Sequence, residues 1–266
     1  MIEIQRFDDV ERIRLASVGS RIAGLDVSAY LVHGVLVDSG FPHARRALAA
    51  FLGERSVAAA MLTHYHEDHA GNAELLASRG IPLAMHSRTF ARLREPAAIR
   101  VYRRVAWGTP TPLAATRRIV DQSPLQFVPT PGHSADHQVV WDAERATVFS
   151  GDLWLGVRSS VMHVSENPFQ IVASLRAVAA LRPERMFDAH RGPVRDPVTA
   201  LASKISYLED TIASVAAKLA SGWSDRAVMR SVFGGDEAVA LAAGGEYSRL
   251  NFVRAVKRGP AGESVG

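Results

Sequence analysis

From Thr63 to His69 the chain reads Thr-His-Tyr-His-Glu-Asp-His, which places three imidazoles and the Asp68 carboxylate within six positions, directly after an apolar run. No other segment constrains the fold as strongly. Four such groups cannot all turn into one hydrophobic core, because each would need a hydrogen-bonding partner there. A bound cation supplies that partner, and neutral imidazole with carboxylate suits a borderline divalent ion such as zinc. The spacing divides the four. His64 and His66, two apart, project to the same side of an extended segment. Asp68 and His69 follow where the chain is expected to turn into a helix, and they can face a second point. Two metal ions are therefore expected.

The sequence has 266 residues, 47% of them hydrophobic, enough for one large α/β domain or a domain with an extension. Cysteine is absent, which excludes disulfides, thiolate ligands and a cysteine nucleophile, so any metal is held by nitrogen and oxygen. Met1 to Arg14 is charged throughout and lacks the apolar region of a signal peptide. No apolar stretch approaches the roughly 20 residues of a membrane helix. A cytoplasmic protein with no membrane partner is expected. Net charge is +4, and the basic excess is uneven: between Ile81 and Val120 there are eight arginines (Arg88, Arg92, Arg94, Arg100, Arg103, Arg104, Arg117, Arg118) against one acid, Glu95. That segment reads either as a solvated helical face or as a surface for phosphate or carboxylate groups.

Strand patterns run over Arg12–Val18, Val27–Val37, Val57–Leu62 and Ile81–Met85, with a helical pattern over His43–Leu52 and another over Asp68–Arg79. The cluster thus sits where a strand gives way to a helix. A largely helical, arginine-rich insertion spans about 86–118, broken by prolines. Strands return at Leu125–Thr130, Gln138–Trp141, Thr147–Ser150 and Arg185–Ala189, with an amphipathic helix at Pro168–Leu181. After Pro197 the pattern is almost entirely helical to Lys257, and 259–266 reads as a frayed tail.

Three downstream residues repeat one arrangement, a ligating side chain just past a predicted strand: His133 in Thr-Pro-Gly-His, Asp152 in Ser-Gly-Asp, and His190 in Asp-Ala-His-Arg-Gly. With Asp38 at an earlier strand end, the order Asp, His-x-His-x-Asp-His, His, Asp, His over roughly residues 12–195 resembles the metallo-β-lactamase superfamily of hydrolases. The resemblance implies a four-layer αββα sandwich of α+β class with the metals at one edge of the two sheets. It assigns residues 1–196 to the catalytic domain and 197–258 to a helical C-terminal extension. It implies one zinc ion on His64, His66 and His133, a second on Asp68, His69 and His190, and Asp152 bridging them; iron or manganese are the alternatives. Asp38 would orient the cluster through hydrogen bonds, unless it is only a turn aspartate. The implied reaction is hydrolysis by a hydroxide held between the metals, with Asp68 and Asp152 as the catalytic carboxylates.

Substrate class is less constrained. The helical C-terminal part favours a small anionic ester or thioester, resembling glyoxalase II-like and acyl-thioesterase-like members. The arginines favour a phosphodiester, with nucleic acid as partner, although the large extra domain of the nuclease branches is missing. A mononuclear iron persulfide dioxygenase and a non-catalytic ligand receptor are further readings, and a homodimer is compatible with all of them. Trp154, Arg158 and His163, in the stretch after Asp152, and Arg191, where the superfamily commonly has glycine, are candidate substrate contacts. His137 is read as structural, Tyr65 as packing, and His33, His43 and His86 as unconnected with metal.

Overall fold

A computed structural model of the chain describes residues 1–24, 26–114, 116 and 124–261, with residues 22 and 23 as backbone. Arg117 and Arg118 of the arginine-rich segment and the last five residues of the tail lie outside these. In chain order the elements are β1 (Ile2–Phe7), β2 (Val10–Leu15), α1 (Val18–Ala23), β3 (Val27–Val32), β4 (Val35–Val37), α2 (Arg45–Gly53), β5 (Ala59–Met61), α3 (Ala73–Ser78), β6 (Leu83–Ala84), α4 (Ser87–Arg94) and α5 (Val101–Trp107). The second half comprises β7 (Leu125–Pro129), β8 (Gln138–Asp142), β9 (Thr147–Phe149), β10 (Met162–His163), α6 (Pro168–Ala180), β11 (Arg185–Asp188), β12 (Gly192–Val194), α7 (Pro197–Ala220), α8 (Asp225–Phe233), α9 (Ala238–Ala242), β13 (Tyr247–Ser248) and α10 (Arg249–Arg258).

Strand alternation builds two sheets with two buried faces each. The first sheet runs β1-β2-β3-β4-β5-β6, antiparallel as far as β4 and parallel from β4 to β6. The second runs β12-β11-β9-β8-β7, with β11 and β9 parallel. Side chains at alternate positions go to opposite faces, and this sorts the core into three layers. Ile13, Leu15, Ala29, Leu36 and Leu83 meet Leu48, Phe51 and Leu76 of the helices over the first sheet. Val10, Tyr30, Val32, Val37 and Met61 meet Val140, Phe149 and Phe187 between the sheets. Val139, Val148 and Met186 meet Leu175, Leu201, Leu208, Val228 and Phe252 of α6, α7, α8 and α10. The result is the αββα sandwich, with the helical C-terminal region packed on the second sheet. Between the sheets, Phe149 and Phe187 stack at 5.6 Å, and Tyr30 tilts against them at 5.3 and 5.4 Å. Each aromatic buried there contributes about 1.5–3 kcal/mol.

Several elements differ from their sequence pattern, each for a local reason. The run Val27–Val37 is two strands, because His33 and Gly34 both take positive φ and form a tight hairpin. The pattern over Arg12–Val18 ends at Leu15, where Ser17 and Ser20 cap α1 reciprocally. The helix expected from Asp68 begins only at Ala73. Successive helical side chains diverge by about 100°, and the loop instead lets Asp68 and His69 face one point. The C-terminal helical pattern is interrupted at Tyr247–Ser248, which pairs with Met162–His163. No described helix is long and apolar enough to cross a membrane.

Candidate metal centre

The site lies where β4, β5, β7, β9 and β11 end, and three hydrogen bonds tie the two sheets together there. Gln138 N–H donates to the Thr63 carbonyl at 2.9 Å, Ser28 N–H to the Ala189 carbonyl at 2.7 Å, and the Tyr30 hydroxyl to the Asp188 carbonyl at 2.6 Å. Two glycines permit the close approach. Gly132 and Gly151 precede His133 and Asp152 and have φ of +131° and +49°. A Cβ on Gly151 would stand 2.8 Å from His137 Nε2, and one on Gly132 would stand 2.5 Å from the Ile171 backbone nitrogen.

All seven residues expected as ligands converge. His64 Nε2 and His133 Nε2 each lie 3.0 Å from His66 Nδ1, and Asp152 Oδ2 is 3.3 Å from His133 Nε2 and 4.0 Å from His64 Nε2. On the other side, Asp152 Oδ1 is 3.1 Å from His69 Nε2 and 3.3 Å from His190 Nε2. Asp68 Oδ2 joins them, 3.5 Å from His190 Nε2 and 3.8 Å from His69 Nε2. Within each group of four, the potential ligand atoms lie within 4.8 Å of one another. Asp152 belongs to both groups and turns one oxygen to each.

The surroundings fix which nitrogen faces inward. Asp38, at the end of β4, accepts from His69 Nδ1 at 2.8 Å and from Thr63 N–H at 2.8 Å, and the Thr63 hydroxyl contacts His64 Nδ1 at 3.0 Å. His133 Nδ1 meets Glu166 Oε1 at 2.8 Å, and His190 Nδ1 meets the Asp26 carbonyl at 3.0 Å. With Nδ1 committed outward, Nε2 of these four rings is left to the interior. His137 is not among the converging groups: its Nε2 accepts from Asp152 N–H at 3.0 Å and its Nδ1 faces the Thr130 hydroxyl. It positions Asp152, as a structural histidine would.

Electrostatics distinguish the two groups. Burial holds His64 and His66 well below the ordinary imidazole range, so both stay neutral. Burial also opposes charge on His69 and His190, but Asp152 and Asp68 outweigh it and raise both. Burial likewise disfavours ionised Asp152, yet His69 and His190 hold its carboxyl well below the usual range. Even so, His69 Nε2 and Asp152 Oδ1 are buried without a hydrogen-bond partner. Orphaned buried atoms of this kind call for a ligand. Donor atoms 3.0–4.0 Å apart bracket the separation of about 3.3 Å between donors around a cation with four bonds of about 2.0–2.1 Å. The residues therefore fit a divalent metal in each group. A third acid–histidine group, Asp9, His33 and Asp142, has Asp9 paired with Arg185 at 2.7 Å, which leaves it poorly suited to a cation.

A cleft of about 280 Å³ opens over this centre, lined by His66, Asp68, His133, Asp152 and His190. Of the four expected substrate contacts, only Arg191 lines it, exposed at the mouth with Nε 3.4 Å from the Leu155 carbonyl. Trp154 turns to the helical layer, where its indole N–H donates to the Ala200 carbonyl at 3.3 Å. Arg158 is exposed outside the cleft. His163 stands behind the lining, 2.7 Å from the Ser165 hydroxyl and 3.3 Å from Glu246. The arginine-rich segment divides: Arg88, Arg94, Arg100 and Arg104 are exposed, as on a solvated face, whereas Arg103 is buried and forks onto Glu67 at 2.5 and 2.6 Å. Arg103, Glu67, Glu166, Tyr102 and Tyr247 were not legible as site residues. Glu67 alone carried a signal, its place inside the cluster.

A family model described as the metallo-beta-lactamase superfamily matches residues 22–191. The chain is 28% identical over 221 residues to a beta-lactamase-like protein 2 homolog of Drosophila melanogaster, covering 73% of this chain and 70% of the fly protein. It is 31% identical over 158 residues to an atrochrysone carboxyl ACP thioesterase of Aspergillus fumigatus, covering 55% of this chain and 44% of that protein. The chain spans only about half of the related Caenorhabditis elegans protein as well, at 54%. Among solved structures, a beta-lactamase domain protein from Burkholderia ambifaria superposes with a TM-score of 0.70 at 19% identity, covering 96% of this chain and 87% of that one. A metallo-beta-lactamase family protein from Thermus thermophilus gives 0.68 at 18%, covering 94% and 92%. At these identities the structural likeness concerns the fold.

Proposed function

This chain belongs to the metallo-beta-lactamase superfamily, and we propose that it is a dinuclear zinc hydrolase of a small anionic ester or thioester. The observation that carries this reading is Asp152, whose two oxygens face two separate ligand groups. Two cations so close repel each other, and a shared carboxylate offsets part of that repulsion. Zinc in these groups would lower the pKa of water and polarise an acyl carbonyl.

The chain's own residues do the rest. His64, His66 and His133 would hold one ion; Asp68, His69 and His190 the other. Asp38 and Glu166 keep the imidazoles in register, and Asp68, on the cleft lining, would take up the proton released from water. The mouth combines the Arg191 guanidinium with Leu155, Val161 and Val239, a mixture suited to an anionic head and an apolar acyl part. Curated relatives named as thioesterases support the same substrate class. We take residues 1–196 as the catalytic unit and the helices of 197–258 as the wall of its cleft.

The test is to strip the protein with a chelator, reload it with zinc, manganese or iron(II), and count bound metal by mass spectrometry. Each form is then assayed on S-phenyl thioacetate, p-nitrophenyl acetate and a short RNA. About two equivalents of zinc with thioester or ester turnover is expected. A single iron without hydrolysis, or cleavage of RNA alone, would overturn the reading.

A further inference from the structure

Part of the cleft lining comes from far down the chain. In the short ladder of β10 and β13, Met162 pairs with Ser248 and His163 with Tyr247. The ladder joins the stretch after Asp152 to the C-terminal region and sets the Tyr247 ring at 5.1 Å from the His163 ring. Tyr247 thereby lines the cleft together with Asp68, Asp152 and His190. The other charged and phenolic groups of this wall are engaged. Glu246 accepts from the Tyr102 hydroxyl at 2.5 Å and from Arg103 at 3.4 Å, and it faces His163 Nε2 at 3.3 Å. Arg103 in turn forks onto Glu67. The Tyr247 hydroxyl, by contrast, has no hydrogen-bond partner among the described residues. Unlike the buried Tyr30 hydroxyl, which donates to the Asp188 carbonyl, this one is not sealed from solvent and is free to meet a group in the cleft. Burial pushes the phenol well above its ordinary range, so the group is a donor at neutral pH.

We propose that the Tyr247 hydroxyl is a catalytic hydrogen-bond donor to the carbonyl oxygen of the acyl substrate. The proposal rests on the hydrolase reading and adds a residue to it. In the step concerned, the oxygen of water bonds to the acyl carbon and its proton passes to Asp68. The carbonyl π pair moves onto the carbonyl oxygen, where Tyr247 meets the growing charge. Collapse then breaks the bond to sulfur or oxygen and expels the leaving group. Tyr247 keeps its proton throughout; its contribution is a preplaced dipole.

The zinc-loaded full chain and its Tyr247→Phe variant are compared on p-nitrophenyl acetate, phenyl acetate and S-phenyl thioacetate. Loss of one such donor should lower kcat about 100-fold, by similar factors on all three probes and with little change in KM. Bound zinc and melting temperature should match the wild type, since the hydroxyl makes no bond within the protein. An unchanged kcat, or an effect confined to KM, would overturn the proposal. So would a penalty that grows with leaving-group basicity, which would move the hydroxyl to the leaving group. Absence of turnover by the wild type on every probe would remove the hydrolase reading and this proposal together, whereas an active wild type and an equally active variant remove only the tyrosine.

Discussion

The two halves of the sandwich supply the metal centre by opposite means. The first sheet delivers four ligands from one loop, residues 64–69, and one carboxylate clamps it: Asp38 holds His69 directly and His64 through Thr63. The second sheet delivers His133, Asp152 and His190 from three separate strand ends, each with its own support. The loop is also pinned by Arg103 on Glu67 and by Asp136 on the Tyr65 N–H, but Asp38 is the group that reaches its ligand imidazoles. Dispersed ligands fail singly. Asp38 serves residues of both ligand groups, because His64 belongs to one and His69 to the other. Glu166 serves only His133.

The sharpest way to break this comparison is at the residue both groups share. Asp152→Ala should lower activity by more than the roughly 10–100-fold typical of losing a ligand's supporting partner, and bound zinc should fall in both groups; His133→Ala should strip only the group containing His64 and His66. Normal turnover in the Asp152 variant would end the assignment. The next effect tests the clamps. Asp38→Ala and Glu166→Ala should each cost about 10–100-fold in metal affinity or rate. Metal analysis after dialysis should show weakened retention of both equivalents for Asp38→Ala and of one for Glu166→Ala. Equal stoichiometry in the two variants would mean that the loop is not held as a unit.

The same difference governed what the sequence disclosed. The cluster was legible because its chemistry is contiguous: adjacent imidazoles and a carboxylate have few structural uses. His133, Asp152 and His190 were legible because a small residue and a strand end precede or surround each. Supports were not, Asp38 and His137 excepted. Glu166 matters only because the chain beyond β10 returns to His133, and nothing near it in sequence says so. Arg103 sat in a run of arginines that reads as solvent-facing, and among the described residues of that run most are exposed. Its burial follows from Glu67 meeting it across the cleft wall. Tyr247 was hidden inside a helical pattern, because a two-residue strand is too short to impose a period of its own. The ligands could be read from local chemistry, while the residues that aim them depend on long-range return of the chain.

The smallest effect on activity is expected at Lys204, which separates support of the second half from the centre itself. Lys204 on α7 is buried, and its ammonium donates to the Gly156 carbonyl at 2.9 Å and the Ser159 carbonyl at 3.0 Å. It therefore props the stretch after Asp152, where Leu155 and Ser159 line the cleft. Burial lowers its pKa to about 8 from the ordinary 10.5. Below pH 8 the folded and unfolded chains are both protonated, and the fold carries the full cost of the buried charge. As pH rises from about 8 toward 10.5, the folded protein releases a proton that the unfolded chain still holds, so this contribution to stability increases. Lys204→Met removes the titration. From pH 7 to pH 9.5 the stability of wild type relative to the variant should thus rise by about 2 kcal/mol, read from urea midpoints, while activity at pH 7 changes less than about 10-fold because no ligand is touched. A difference that stays flat with pH would show that the ammonium is solvated and does not support the stretch from α7.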